Sequence, residues 1–278
     1  MSRMSATCID GKAIADVVMT GLAKQIRALG EPLHLAAICV GDDIGVRSFV
    51  KLKQKAALLV GAEFSSYFFD ANDEDGARQT LQYLAGDEGV HGIFVELPLP
   101  PLWDSAALLS LIPAQKDADV LSPRAQQAFY ENRVVVMPPS VLALQYVLHA
   151  HEIAVRGMRI AMVGAGDLVG KPVAHWLTQQ GARVDIIDID TPHPADISRQ
   201  ADMVIAATGM PGLVTDEWIK ESATVIDYGF AKKGAAYFGD VDYTSVHKKA
   251  GLLTPVPGGM GPLVVAAVLE NLIALGTS

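Results

Sequence analysis

Cysteine, aromatic side chains and positive charge are all scarce in this chain. Its 278 residues hold two cysteines, 6% aromatics, and 22 Lys+Arg against 31 Asp+Glu, a formal charge of −9. The two thiols, Cys8 and Cys39, cannot build a disulfide framework or a cysteine-rich metal site. Each sits in an apolar stretch that reads as core, and a reducing compartment follows. The seven histidines form no HxxxH or HExxH pattern, which argues against a metal site. An acidic balance with no basic run offers no surface to nucleic acid or to an anionic membrane. No apolar run reaches the ~20 residues that span a bilayer. The longest, Leu263–Leu275, is interrupted by Glu270 and Asn271. Asp10, Lys12 and Asp16 break the N-terminal stretch where a signal peptide needs continuous apolar sequence, so a soluble cytoplasmic protein is expected. Solenoid-period repeats and low-complexity segments are missing too.

What is present is apolar material in short blocks. Half of the residues are hydrophobic, ample for one large core or two modest ones, which excludes a disordered or collagen-like chain. Leu35–Val40, Phe64–Phe69, Gly92–Leu97, Arg159–Val163, Ala182–Ile187, Met203–Ala207 and Thr224–Tyr228 are continuous apolar runs, as expected of parallel strands covered on both faces. Helical patterns intervene at about Lys12–Leu29, Val46–Val60, Asp75–Ala85, Ser140–His151, Leu168–Gln180 and Leu263–Leu275. Strand and helix in alternation predict an α/β architecture with right-handed crossovers. Proline- and charge-rich sequence from Pro113 to Pro139 divides the chain into two α/β domains. The expected boundaries are 1–140, completed by a C-terminal helix at 262–278, and a Rossmann-like domain at 141–261.

The second block opens with a nucleotide signal. Arg159–Val163 runs into Gly164-Ala-Gly166-Asp-Leu-Val-Gly170 and then a helix. Glycines at such a turn let backbone approach a pyrophosphate that the helix N-terminus favours. The third glycine falls one residue later than in GxGxxG, so a plain strand-to-helix turn remains open. Asp188, at the end of the next strand, is placed to accept from a ribose 2′-hydroxyl and would repel a 2′-phosphate. That favours NAD over NADP; the alternative for Asp188 is a turn residue at a strand end.

Several segments together resemble the bifunctional methylenetetrahydrofolate dehydrogenase/methenyltetrahydrofolate cyclohydrolase family. They are Ile9-Asp-Gly-Lys-Ala-Ile-Ala15, Val40-Gly-Asp, Lys53-Gln-Lys55-Ala up to Val60-Gly61, Gly92-Ile-Phe-Val-Glu-Leu-Pro-Leu-Pro100 and Lys116-Asp-Ala-Asp119 after Pro113. Val169-Gly-Lys-Pro172, Gly239-Asp-Val-Asp242 and Thr254-Pro-Val-Pro-Gly-Gly-Met-Gly-Pro262 continue the series. The resemblance implies a folate-binding first block, a nucleotide-binding second block, a catalytic cleft between them, a C-terminal helix returning to the first block, and a homodimer. It implies catalytic roles for Lys53, Glu96 and Phe49, and substrate contacts at Asp119, Pro257, Gly258 and Gly259. Contacts to NAD or NADP are implied at Gly164, Ala165, Gly166, Asp167, Leu168, Asp188, Thr208 and Gly209.

Departures from the family pattern accompany the matches. Phe49 stands where the family has Tyr, Glu96 where it has Gln, and Val120 where it has Gly after the second Asp. Pro138-Pro-Ser-Val141 replaces its P-C-T-P segment, Ala165 and Gly166 replace an Arg-Ser pair, and Ile189 replaces a polar or basic residue. The changes at Ala165, Gly166 and Ile189 remove groups that would hold a 2′-phosphate. A carboxylate ~4 Å from Lys53, at an effective dielectric of ~20, attracts it by about 4 kcal/mol, or roughly 3 pKa units before desolvation opposes. A lysine held protonated is a poor general base, so dehydrogenation is expected to survive better than cyclohydrolase chemistry. Read without the family, Lys53 is an ordinary solvated lysine and Asp119 a loop cap. A paralogue with altered or no catalysis that binds a folate-like or nucleotide ligand, and a related enzyme acting on a different pterin or one-carbon donor, also remain open.

Overall fold

The computed structural model describes residues 5–41, 44–133, 135–233 and 236–277; Asp42 of the Val40-Gly-Asp run lies outside them. In chain order the first elements are β1 (Thr7–Cys8), α1 (Gly11–Leu29), β2 (His34–Val40), α2 (Ile44–Val60), β3 (Glu63–Phe69), α3 (Glu74–Gly86), β4 (Gly92–Val95), α4 (Ser105–Leu109), α5 (Pro123–Tyr130) and α6 (Pro139–Ala150). There follow β5 (Arg159–Val163), α7 (Gly170–Gln179), β6 (Arg183–Ile187), α8 (Pro194–Ser198), β7 (Met203–Ala206), β8 (Thr224–Asp227), β9 (Ala231–Lys233), β10 (Ala236–Phe238), α9 (Tyr243–Val246), β11 (Leu252–Leu253) and α10 (Met260–Gly276).

Two compact units share these elements. One comprises Asp16–Pro139 and the chain from Val265 on; the other comprises the chain up to Ala15 and Ser140–Val264. In the first unit β3, β2 and β4 form a parallel sheet in that order, Ile38 lying opposite Tyr67 on one side and Val95 on the other. Residues Leu35–Cys39 are wholly buried, because helices cover both faces of a parallel sheet and leave no polar side. Ala77, Leu81 and Leu84 of α3 recur at helical spacing and seal one face around Ile38, Ile93 and Val95. The last turns of α10 belong to this unit. The buried Asn271 amide donates to the carbonyls of Ala118 (3.0 Å) and Met137 (2.7 Å), tying the helix to two loops that have no partner ladder.

The second unit holds a six-stranded parallel sheet in the order β1-β11-β8-β7-β5-β6. Counted from β5, the strands β6, β5, β7 and β8 run in the doubly wound order 2-1-3-4, with the reversal between β5 and β7. Val163, Ala161, Val204, Ala206 and Val225 fill the core beneath it. Strand and helix thus alternate in both units as the sequence predicts. One expectation fails. Cys8 is exposed, not core, because two-residue β1 lies at the sheet edge and only its flanks Ala6 and Ile9 turn inward. Removing the Asn271 amide takes a donor from one buried and one partly buried carbonyl, so Asn271→Ala is expected to cost about 2–3 kcal/mol in chemical denaturation.

Candidate active site

Val50, Lys53, Ala57 and Val60 recur along α2 and all are buried, so a lysine occupies the apolar stripe that faces the sheet. A charge there requires partners. Its Nζ donates to Glu96 Oε2 at 2.9 Å, lies 3.7 Å from Asp119 Oδ2, and sits 4.0 Å from the centroid of the Phe94 ring. Glu96 directly follows β4, its own N–H paired with the Ile38 carbonyl, so the sheet fixes where the carboxylate begins. Burial opposes charge on Lys53, but Asp119 and Glu96 outweigh it and hold the amine above its ordinary value near 10.5. Two carboxylates share that single cation, and burial therefore pushes Glu96 above the usual carboxylate range even as Lys53 pulls it down. Cys39, buried beside them, is pushed up to about 12 by burial and by Glu96, which keeps it a neutral thiol. Phe49 lies one turn before Lys53 on the same helix face and is half-buried.

The turn after Lys116 delivers Asp119. Asp117, wholly buried, accepts from the N–H groups of Leu121 (3.0 Å) and Ser122 (2.6 Å), pinning the turn from within. Val120 has φ +54°, a left-handed conformation that costs a β-branched residue about 1–3 kcal/mol. The backbone therefore keeps the shape a glycine would take, and Asp119 stays turned toward Lys53.

In the other unit, the reversal between β5 and β7 marks the edge where doubly wound sheets take their ligands. Gly164 follows β5 with φ +102°, and a Cβ there would overlap the Ala207 carbonyl; a Cβ on Gly170 would overlap the carbonyl of Gly164. These two glycines close the turn. Gly166 has open space around its Cβ position, so it is not sterically required. Of the intervening residues, Asp167 pairs with Lys171 at 2.5 Å and the Leu168 carbonyl accepts from Ser140 Oγ at 2.8 Å. No side chain caps the N-terminus of α7; the Lys171 N–H donates to the Gly166 carbonyl at 3.0 Å and Pro172 has no N–H, so of the first three helical residues it is Gly170 whose N–H can face an anion such as a pyrophosphate. Ala165 is half-buried in this turn.

Asp188 is exposed beyond β6 and organises a turn: its Oδ1 accepts from the Thr191 hydroxyl (2.7 Å) and the Asp190 N–H (3.1 Å). The Thr191 bond holds the carboxyl below its usual range, so it is charged at neutral pH. Both bonds use Oδ1, and Oδ2 is not engaged by them. After β7, the N–H groups of Thr208 and Gly209 both donate to Asp240 Oδ2. Pro257, Gly258 and Gly259 lie in this same unit, with the Gly258 carbonyl accepting the Lys12 N–H at 3.1 Å and Gly259 pressed against Gly11. Sequence reading links all of these to one reaction; the structure brings Lys53, Glu96 and Asp119 together in one unit and the glycine turn, Thr208 and Gly209 together in the other. Among the described residues no cluster of three His, Cys, Asp or Glu could hold a metal.

Residues 9–119 match the tetrahydrofolate dehydrogenase/cyclohydrolase catalytic domain, and residues 138–277 match the NAD(P)-binding domain of the same proteins. The chain belongs to the tetrahydrofolate dehydrogenase/cyclohydrolase family. Among its relatives, the bifunctional protein FolD of Nitrosospira multiformis is 35% identical over 275 residues, covering 97% of this chain and 96% of that one. The Trypanosoma brucei methylenetetrahydrofolate dehydrogenase-cyclohydrolase, solved with NADP and an inhibitor, superposes with a TM-score of 0.93 at 34% identity and 98% coverage of both chains. The bifunctional enzyme of Campylobacter jejuni gives 0.92 at 32% identity, covering 98% of this chain and 99% of its own.

Tetrahydrofolate dehydrogenase/cyclohydrolase membership sharpens what the sequence reading missed. Asp227 and Asp240, which brace the β7 loop, read in sequence as a strand end and a motif residue, and Phe94, which lies under the ammonium, reads as plain strand. An Asp inside the buried run Thr224–Asp227 is the signal that points to them. The glycines separate by experiment: Gly164→Ala and Gly170→Ala should each lose about 2 kcal/mol or more in thermal denaturation, from backbone overlap, whereas Gly166→Ala should change stability by less than about 1 kcal/mol.

Proposed function

We propose that this protein oxidises methylenetetrahydrofolate to methenyltetrahydrofolate, preferring NAD, and adds water to the methenyl product more slowly than it forms it. The nicotinamide nucleotide supplies the hydride acceptor. Hydride transfer from a methylene carbon asks the protein for close, oriented carbons and a surround tolerant of a cationic product; it asks for no acid or base. Ionised, the Lys53, Glu96 and Asp119 group carries one net negative charge, which suits that cation. Asp119 keeps 20% of its side chain exposed and can pair with the amino group and ring nitrogen of a pterin. Water addition differs, because a proton must leave the attacking water. Lys53 can take it only as a neutral amine, and two carboxylates hold it charged.

The observation that carries this reading is the 2.9 Å contact between Lys53 and Glu96, at a position where the family pattern has a neutral amide. The ionised, exposed Asp188 supports NAD, as do Ala165, Gly166 and an Ile189 that is 94% exposed, none of which can hold a 2′-phosphate. A homodimer fits the free edge of β6, where Ile186 is 50% exposed. No helix among the described residues is long and apolar enough to cross a membrane, and the two unpaired thiols fit the cytoplasm.

Assays of both half-reactions on purified protein decide the matter: the dehydrogenase rate should exceed the cyclohydrolase rate, and the reverse order overturns the reading. Cyclohydrolase activity should climb as pH rises toward the lysine pKa. Glu96→Gln removes an interaction that raises that pKa, so the climb should begin at lower pH and the neutral-pH rate should increase by about 10-fold or more. For the nucleotide, titration should give tighter binding of NAD than of NADP, and Asp188→Asn should narrow the gap.

A further inference from the structure

Two buried carboxylates without a basic partner among the described residues stand behind the carboxyl edge of the second sheet. Asp227 ends β8 and is 3% exposed; Asp240 is 1% exposed. Backbone N–H groups satisfy both. Asp227 Oδ1 accepts from Gly229 (2.8 Å) and Asp240 (3.0 Å), and its Oδ2 accepts from Val241 (3.0 Å). Asp240 Oδ2 in turn accepts from Thr208 and Gly209. The Asp227 N–H donates to the Thr254 hydroxyl at 2.7 Å, at the start of the Pro257–Gly259 loop. Gly229 and Gly239 leave the room this needs, since a Cβ on either would overlap the carboxylate of Asp240 or Asp227. Thr208, finally, packs its methyl group against the Cβ position of Gly164, the first glycine of the nucleotide turn.

We propose that Asp240, itself held by Asp227, is a positioning residue that sets the Thr208–Gly209 backbone, and through Thr208 the Gly164 turn, for the nicotinamide nucleotide. This rests on the nucleotide-binding reading above. The segments after β5 and β7 flank the reversal in strand order, yet no ladder joins Thr208 to a neighbour; one carboxylate oxygen does that work for two consecutive amides. Both amides are thereby spent on the protein, so these residues serve the ligand by where their backbone lies.

The test is calorimetric titration of the full-length protein with NAD, and separately with a reduced folate. Asp240→Asn keeps an acceptor in place and should hold nucleotide affinity within about 3-fold. Asp240→Ala leaves two amides unpaired and should weaken nucleotide binding by about 10-fold or more, with folate affinity changed by less than about 2-fold. Asp240→Glu keeps the charge but moves it one methylene, and should bind nucleotide more weakly than Asp240→Asn. If the Ala variant does not fold, the order of Asn and Glu decides: a Glu variant that binds better than the Asn variant would mean charge and not geometry, and overturns the proposal. Equal losses for nucleotide and folate overturn it as well, since a loosened fold produces them. A wild type that binds no nicotinamide nucleotide defeats the functional reading itself, whereas normal wild-type binding with unaltered Ala and Glu variants defeats only this inference.

Discussion

An ammonium buried in the apolar stripe of a helix would give up its proton unless something held it charged. In this protein Glu96 and Asp119 do so for Lys53. The arrangement around it follows from that need. The β4 strand must stop at Val95 so that the next side chain can turn toward α2, and the Asp117 turn must be pinned from inside so that Asp119 faces the amine. Val120 accepts a left-handed backbone for the same reason. Removing either carboxylate would leave one opposite charge beside the lysine; removing the lysine would leave two partly buried carboxylates facing each other with no cation, which is the costlier imbalance.

The second unit solves buried charge differently. Asp227 and Asp240 accept hydrogen bonds from backbone N–H groups, and burial still pushes Asp227 up to about 6. Amide dipoles are fixed by the chain, so such a site cannot rearrange as a flexible lysine can. One unit thus keeps a movable proton close to its carboxylates, and the other uses carboxylates as rigid braces. The division suits an enzyme in which one partner is chemically activated and the other is held at a set distance.

Much of this is legible in the sequence alone. Strands such as Leu35–Val40 and Met203–Ala207 announce themselves because burial on both faces forces unbroken apolar runs, and β2 and β7 lie within a residue of those limits. Elements of two or three residues, β1, β9, β10 and β11, are too short to show a period. Lys53 and Asp119 were found through resemblance, although the spacing of Val50, Lys53, Ala57 and Val60 already places a charge among core positions. Gly164 and Gly166 look alike in sequence; only the Ala207 carbonyl distinguishes the required one from the permitted one. Asp240 was invisible as a brace because its partners, Thr208 and Gly209, lie some thirty residues away and offer only backbone.

The two cysteines lead opposite chemical lives. Cys39 is sealed inside and stays a thiol far above neutral pH, while Cys8 is exposed on β1. A maleimide fluorophore would therefore couple at a single place in the native molecule. It would mark the unit that carries the glycine turn, at the edge of its sheet farthest from β6, without any engineered residue.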